Sequence, residues 1–287
     1  MKMIKFVKGM GVWAVCVAMG LSAKTGAAEE LIVTNGTKIA FMGDSITQFG
    51  GSNPGGYVNL VIKGLEANGL KVAPIKAGIS GHKSNDMLAR VDRDVISKKP
   101  DIMTLSCGVN DVWHGDRGVP LEPYKTNITA IVDKAQAANI KVVILTSTLI
   151  NDMNNPNSLK LDAYNDFLRS LAKERKLPLA DLSADMKEIM KAKGTRANLT
   201  VDGVHMALKG DVMMATGVLR ALGLNQAQLD KAHEAWLDMP DTCLIQAKFT
   251  LRQYEKFEAK AEALTNKPPV NAYINAQFSK FIEAETK

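Results

Sequence analysis

The sequence predicts an α/β fold around a parallel sheet, because apolar strand-like runs alternate with stretches of helical periodicity. Five such runs occur, at Lys38 to Met42, Lys71 to Ala77, Ile102 to Cys107, Lys141 to Thr146 and Leu177 to Leu182. Alternating strands and helices are typical of βαβ units, in which neighbouring strands are parallel. Of the 287 residues, 46% are hydrophobic and 23% charged, which is typical of a globular protein and argues against a disordered chain or a membrane bundle.

The stretches between the strands carry apolar residues at helical spacing, which can cover the faces of the sheet. Three stripes are clear: Tyr57, Leu60, Val61 and Leu65; Leu88, Val91 and Val95; and Ile128, Ile131 and Val132. The pattern recurs over Leu161 to Ala172 and over Val212 to Leu222, where Gly223 is a suitable helix stop. We therefore place one α/β domain at residues 29–224.

Residues 225–287 lack strand-like alternation and predict a C-terminal extension of two or three helices, broken at Pro240 and at Pro268-Pro269. We expect its aromatic residues to be core residues that pack these helices onto the domain, with a homodimer contact or a partial lid as the alternative. They are Trp236, Phe249, Tyr254, Phe257, Tyr273, Phe278 and Phe281.

The first 28 residues have the features of a signal peptide. Three lysines precede an uncharged run from Gly9 to Ala23, and the small residues Gly26 and Ala28 follow. The run is shorter than the roughly 18 apolar residues of a spanning helix, and an uncleaved anchor is the alternative. Val15 before Cys16 is too large for a lipoprotein cleavage site, so we predict no lipid anchor. The mature protein is expected to be secreted or periplasmic.

Removal of the leader leaves a nearly balanced charge. The formal net charge falls from +6 to +2, because four lysines and no acidic residues are lost. This balance gives no electrostatic reason to expect nucleic acid or an anionic membrane as a partner. Only Cys107 and Cys243 remain, which excludes a disulfide scaffold, and Cys107 at the end of an apolar run is expected to be a core residue.

Three of the predicted strands end in glycine-containing turns with polar residues. These turns are Gly43-Asp44-Ser45, Gly78-Ile79-Ser80-Gly81 and Gly108-Val109-Asn110-Asp111. The carboxyl ends of parallel strands border the crevice where ligands bind, so Ser45, Gly81 and Asn110 should converge there. A serine hydroxyl can attack a carbonyl, and backbone N–H groups with an asparagine amide can hold the oxyanion that develops.

Such a serine needs a base, and the chain has four histidines: His82, His114, His205 and His233. His205 is the best placed, since it lies in Asp202-Gly203-Val204-His205 shortly before the last helix of the domain. A three-residue spacing lets a turn bring the carboxylate of Asp202 to Nδ1 of the imidazole. That contact would fix the tautomer and stabilise the imidazolium formed during attack.

In their order along the chain, these four blocks resemble the conserved blocks of the SGNH (GDSL-type) hydrolase superfamily, over residues 38–222. The resemblance implies a flavodoxin-like three-layer α/β/α sandwich with a five-stranded parallel sheet, hydrolysis through an acyl-enzyme, and no metal or cofactor. It implies Ser45 as nucleophile, His205 as base and then acid, Asp202 as its orienter, and an oxyanion hole of Ser45, Gly81 and Asn110. Ile46 replaces the leucine of the family motif at a packing position, and the extension lies outside the family core.

Other polar residues on the same rim allow alternatives. Asp44 and Asp111 could be metal ligands together with His82 or His114, but carboxylates in such turns more commonly accept hydrogen bonds from nearby backbone N–H groups. The chain contains no tight metal-ligand spacing such as His-Glu-x-x-His. We expect His82, Trp113 and His114 to line the pocket as substrate contacts. Trp113 is either a platform for a sugar ring or packs under its own loop.

The loops near the rim favour a small acyl group on a polar carrier. Residues 50–56 and 151–157 are rich in Gly, Asn and Ser and offer little apolar surface for a long acyl chain. The leading prediction is an esterase that removes O-acyl groups, above all acetyl, from a small-molecule or glycan ester. The alternatives are a lipase, lysophospholipase or thioesterase of the same superfamily, and an inactive glycan-binding module. The intact Ser45, Asn110 and His205 count against the inactive module.

Overall fold

The computed structural model describes residues 30–193, 197–240 and 250–286. The chain divides into two compact units, Met1–Thr242 and Cys243–Lys287. The predicted signal peptide, Cys243 and Phe249 lie outside the described residues. No helix among the described residues is long and apolar enough to cross a membrane.

The first unit is built on a five-stranded sheet in which every described pairing is parallel. The strands are β1 (Lys38–Gly43), β2 (Ala73–Gly78), β3 (Ile102–Ser106), β4 (Lys141–Leu145) and β5 (Leu179–Ala180). Their spatial order is β2-β1-β3-β4-β5. The order reverses at β1, where the chain leaves in one direction to β2 and later returns to β3 on the other side. In such a sheet the ligand crevice lies at the carboxyl ends of β1 and β3.

Helices cover both faces of this sheet, which confirms the predicted α/β sandwich with a five-stranded parallel sheet. Their bounds are α1 (Ser45–Ser52), α2 (Tyr57–Ala67), α3 (Ser84–Asp94), α4 (Val109–Trp113), α5 (Leu121–Ala137), α6 (Pro156–Arg175), α7 (Leu182–Lys193), α8 (Leu208–Ala221) and α9 (Gln226–Leu237). One layer contains α2, α8 and α9, and the other contains α3, α5 and α6. The predicted apolar stripes are buried, except that Leu88 is only partly buried.

Helix α9 belongs to the first unit, although the sequence analysis assigned it to the extension. Gly64 of α2 lets α8 and α9 approach closely, since a Cβ there would lie 2.7 Å from Leu219 of α8 and 3.0 Å from Ala232 of α9. The indole Nε1–H of Trp236 donates to the Leu60 carbonyl at 2.8 Å. Trp236 is therefore a core residue that packs its helix onto the domain, as predicted for the aromatic residues after residue 224.

The described part of the second unit contains α10 (Leu251–Glu262) and α11 (Val270–Glu285), which pack against each other. The helix after the two prolines starts where predicted, with Pro269 as its N-cap. The prediction that Phe278 and Phe281 are core residues is wrong, because they are 42% and 62% exposed. Each of the two helices buries only the face that packs against the other, so aromatic residues on the remaining faces are exposed to solvent.

Candidate active site

Ser45 is the first residue of α1, in the tight turn that follows β1. The Asp44 carboxylate caps this helix, with Oδ1 accepting the Ile46 N–H at 2.9 Å. Gly43 is required for the turn, since a Cβ there would collide with the Thr47 side chain. Burial raises the pKa of Asp44 to about 6, although the Ile46 N–H opposes this shift. The turn thus holds Ser45 at the carboxyl end of β1, beside the point where the strand order reverses.

Ser45, His205 and Asp202 form one hydrogen-bonded chain. His205 Nε2 lies 2.9 Å from Ser45 Oγ, and His205 Nδ1 lies 2.6 Å from Asp202 Oδ2. The second carboxylate oxygen, Oδ1, accepts the backbone N–H groups of His205 at 2.8 Å and of Val204 at 3.0 Å. Gly203 makes this turn possible with φ +92°, a conformation that favours glycine. A proton can therefore pass from the hydroxyl to an imidazole whose tautomer is fixed from behind.

The charge state of Asp202 and the shielding of His205 depend on how much water reaches these two side chains. Burial alone would raise the pKa of Asp202, but the hydrogen bonds from His205 and Val204 outweigh burial and hold the pKa below its usual range. The Asp202 side chain is nevertheless 49% exposed. The Phe49 ring shields one side of the imidazole, with its centroid 5.1 Å from that of His205.

The oxyanion hole of Ser45, Gly81 and Asn110 stays a prediction, and the hydrogen bonds of these residues are compatible with it. Within the described residues, no hydrogen bond occupies the backbone N–H of Ser45 or that of Gly81. Asn110 donates one amide hydrogen to the His82 carbonyl at 3.1 Å, which aims Nδ2 toward this loop and leaves the second hydrogen free. These groups can together hold an oxyanion on a carbonyl attacked by Ser45.

The loop that carries Gly81 is anchored to α1 by a residue that the sequence analysis did not single out. Gln48 Oε1 accepts the Ser80 N–H at 2.7 Å and lies 2.8 Å from the Ser80 hydroxyl. Gly78 allows this approach, because a Cβ there would collide with the Gln48 backbone. The signal available in the sequence was the position of Gln48 one turn after Ser45, on the same helix.

His82, Trp113 and His114 lie in or next to the loops of this rim, and their contact with substrate stays a prediction. Trp113 is 42% exposed, so it does not pack under its own loop. His114 caps the carboxyl end of α4, and its Nδ1 lies 2.9 Å from the Asn110 carbonyl in the first turn of that helix. The His82 ring is held from behind by Arg90, whose Nε lies 3.0 Å from Nδ1.

The carboxylates considered as metal ligands are engaged with backbone N–H groups. Asp111 Oδ1 accepts the Ser84 N–H at 3.0 Å, a partner from another loop rather than from its own turn. Burial raises the pKa of Asp111. No group of three or more His, Cys, Asp and Glu side chains among the described residues is arranged to hold a metal ion. Cys107 is buried and free, as expected of a core residue.

A cavity of about 270 Å³ adjoins the outer side of His205. It is lined by Ile46, Phe49, Gly50, Asn53, Val201, Asp202, His205, Met206 and Asp211. A larger one, about 470 Å³, lies near the amino end of β4 around Lys141 and Lys176, and no candidate catalytic residue lines it. The smaller cavity is therefore the candidate substrate-binding cavity, because Asp202 and His205 line it.

Asp211 at this cavity should make stability depend on pH. Its Oδ1 accepts the Tyr57 N–H at 2.8 Å, and burial raises its pKa from 3.8 to about 7. The folded protein thus binds this proton more tightly than the unfolded chain. The resulting stabilisation is complete below pH 3.8 and is lost as the pH rises through about 7.

We expect Asp211→Asn to raise the free energy of unfolding at pH 8 and to change it little near pH 4. Each pH unit over which the two states differ by one proton is worth about 1.4 kcal/mol, and the amide can still accept the Tyr57 N–H. Urea unfolding at both pH values measures the difference. Asp181→Asn is the control of opposite sign, because the Arg169 ion pair outweighs burial and lowers the pKa of Asp181. Parallel pH profiles of Asp211→Asn and wild type would contradict the prediction.

Comparison with known proteins supports the resemblance of the four blocks. The model of the GDSL-like Lipase/Acylhydrolase family matches residues 41–211, which is more than half of the chain. An acetylxylan esterase from Geobacillus stearothermophilus is 28% identical over 211 residues, covering 67% of this chain and 96% of that protein. Esterase TesA from Pseudomonas aeruginosa is 27% identical over 193 residues, covering 67% of this chain and 87% of that protein.

Solved structures agree. The crystal structure of Axe2, an acetylxylan esterase from Geobacillus stearothermophilus, superimposes with a TM-score of 0.62 at 28% sequence identity. The superposition covers 68% of this chain and 97% of that one. The residues matched by the family model, 41–211, run from within β1 to within α8 and include Ser45, Gly81, Asn110, Asp202 and His205.

Proposed function

Since the chain belongs to the GDSL-like lipase/acylhydrolase family and is a carboxylic ester hydrolase, we propose that it forms an acyl-enzyme on Ser45 and removes small acyl groups, above all acetyl, from a carbohydrate. The observation that carries this proposal is the 2.9 Å contact between Ser45 Oγ and His205 Nε2. An inactive binding module would have no need for a base at hydrogen-bond distance from the serine.

Acylation begins when His205 Nε2 takes the Ser45 hydroxyl proton as Oγ attacks the ester carbonyl. The Asp202 carboxylate stabilises the imidazolium that forms. The negative charge on the carbonyl oxygen is held by the N–H groups of Ser45 and Gly81 and by the Asn110 amide. Collapse of this intermediate breaks the bond to the alkoxy oxygen, which receives its proton from His205.

Deacylation uses the same groups with water in place of the alcohol. His205 takes a proton from the water, whose oxygen attacks the acyl-enzyme carbonyl, and returns that proton to Ser45 Oγ as the carboxylic acid leaves. The N–H donors hold the second oxyanion in the same place. No electron acceptor or metal is needed for these steps to balance.

The mixed polar and apolar side chains around the candidate active site support a sugar as the alcohol portion of the ester. The cavity beside His205 combines the apolar Phe49 and Val201 with the polar Asn53 and Asp211. Such a mixture suits the alternating C–H and O–H surface of a sugar ring better than an alkyl chain. The exposed indole of Trp113 is a second surface of the same kind. The matched sequence and the matched crystal structure from Geobacillus stearothermophilus are both named acetylxylan esterases.

Secretion is part of the proposal, and it is supported by the lysine-rich start, the uncharged run and the small residues at the end of the leader. Cleavage after Ala28 would start the mature chain at Glu29. Acetylated polysaccharides lie outside the cytoplasm, where such a protein would meet them.

We expect the protein to release acetate from a panel of acetylated polysaccharides, and to prefer acetyl over octanoyl and lauroyl among synthetic esters of one alcohol. The reason is the polar rim, which offers little apolar surface to a long chain. Acetate release and initial rates across the ester series measure this, with Ser45→Ala as the blank. A preference for octanoyl or longer chains would favour a lipase or thioesterase instead. Inactivity of the wild type across the whole panel would favour a glycan-binding module.

A further inference from the structure

Arg90 of α3 is a buried cation outside the Ser45–His205–Asp202 chain. Its side chain is 3% exposed, on the helix face that also carries the buried Met87 and Val91. A guanidinium has no acceptor and cannot lose its charge in a protein, so its burial is tolerated only where partners receive its N–H groups. Charged residues are seldom buried so deeply without a specific use.

Its partners are the segments that form the candidate oxyanion hole. Nη2 donates to the Gly43 carbonyl at 2.8 Å, just before Asp44 and Ser45. Nη1 donates to the Ala77 carbonyl at 2.8 Å, at the end of the strand that leads into the Gly81 loop. Nε donates to His82 Nδ1 at 3.0 Å, and the His82 carbonyl in turn accepts the Asn110 amide at 3.1 Å.

We propose that Arg90 is the positioning residue of the oxyanion hole, which sets the spacing of the three N–H donors on Ser45, Gly81 and Asn110. The inference rests on the function proposed above. The rigid, planar guanidinium of Arg90 contacts the segments before Ser45 and Gly81 directly, and it contacts Asn110 through His82. The relative positions of the three segments therefore depend on this one group. Donors to a developing oxyanion must be held to within about half an ångström, and a displacement of about 1 Å can cost about 10²-fold in rate.

The same contact fixes the tautomer of His82. Because Arg90 Nε–H can only donate, His82 Nδ1 must accept, and the ring proton resides on Nε2. Burial and the charge of Arg90 together lower the pKa of His82, which favours the neutral ring. His82 therefore offers an N–H donor at Nε2 beside Gly81, and its tautomer reports whether the fork is in place.

Asp94 provides the counter-charge and also makes a matched control possible. Its Oδ2 lies 3.1 Å from Arg90 Nη1, and its Oδ1 lies 2.6 Å from Nε of the neighbouring Arg93. Hydrogen bonds from Arg93 and then from Arg90 lower the pKa of Asp94 to about 2. The Arg93 side chain is exposed and pairs with Asp94, yet it contacts none of the three segments.

Arg90→Lys is expected to lower kcat for acetyl-ester hydrolysis about 10²-fold, with KM changed by less than about threefold, because a point charge cannot hold three segments at once. Arg93→Lys should stay within about twofold of wild type. Asn110→Ala supplies a test of coupling. If Arg90 acts through the hole, the loss from Arg90→Lys shrinks in the Asn110→Ala background, whereas independent structural damage would multiply with it.

The ¹⁵N NMR spectrum of His82 gives a readout that needs no variant. The wild-type protein should show the Nε2–H tautomer and retain it to a lower pH than a free histidine does, and Arg90→Lys should lose this pattern. Wild-type kcat in Arg90→Lys, multiplicative losses with Asn110→Ala, or an Nδ1–H tautomer in the wild type would each overturn the proposal. An active Ser45→Ala protein would instead reject the proposed mechanism, and leave the His82 tautomer as an independent result.

Discussion

Ser45→Ala is expected to lower kcat for ester hydrolysis by about 10⁶-fold, the largest effect of any substitution considered for this chain. The hydroxyl oxygen is the atom that bonds to the acyl carbon, and the only described hydrogen bond of this oxygen is to His205. Removing it leaves the N–H donors and the cavity in place, so substrate can still bind. The remaining hydrolysis would come from water attack on a carbonyl polarised by those donors.

Stopped assays of acetate release and thermal unfolding together test this expectation. The unfolding midpoint should hardly change, because a methyl group fits where the hydroxyl was. Ser52→Ala is the matched control, since it removes an exposed hydroxyl at the other end of the same helix. Ser45→Ala with wild-type turnover would reject the acyl-enzyme mechanism. With wild type, a slowly hydrolysed ester should add the mass of one acyl group, and Ser45→Ala should show no such addition.

The contact between Asp202 and His205 was predicted correctly from the sequence because its geometry is set locally. Asp202 and His205 are three residues apart, so a single turn brings carboxylate and imidazole together whatever the rest of the chain does. Ser45, Gly81 and Asn110 follow apolar strands, and parallel pairing brings the ends of such strands to one rim. The predicted oxyanion hole therefore depends only on the strand assignment, which hydrophobic patterning supports well.

Arg90 and Asp211 could not be found in this way, because their environment is tertiary. A charged residue within a helical pattern is normally assigned to the solvent face. Arg90 is buried because strand-end carbonyls of Gly43 and Ala77 meet its guanidinium, and these acceptors are far away in the sequence. Asp211 is buried because α8 lies against the start of α2, where the Asp211 carboxylate accepts the Tyr57 N–H.

The placement of α9 and of the aromatic residues of α11 was missed for a related reason. Helical periodicity indicates an apolar face but not which surface covers it. The missing side chain of Gly64 is what allows α9 to pack against α2. A glycine within a helix does not indicate such a close contact until the neighbouring helix is known. The predicted boundary at residue 224 therefore followed the end of the family core, whereas the compact unit continues through Thr242.

Asp202→Asn is expected to lower kcat by about 10⁴-fold, and to be more damaging than Asp202→Ala. In the wild type, Oδ1 accepts two backbone N–H groups, so the amide oxygen of asparagine must take that position. The NH₂ group then faces His205 Nδ1, which becomes an acceptor. The ring proton moves to Nε2, where it points at Ser45 Oγ, and the imidazole can no longer take the proton of the nucleophile.

Asp202→Ala removes the carboxylate without imposing the wrong tautomer. Because this side chain is 49% exposed, water can reach Nδ1 and accept its proton, so the loss should be roughly tenfold smaller than in Asp202→Asn. Comparison of kcat/KM for the two variants, with His205 tautomers assigned from ¹⁵N spectra, separates orientation from charge. A larger loss in Asp202→Ala, or the Nδ1–H tautomer in Asp202→Asn, would show that the carboxylate acts through its charge and not through the proton it directs.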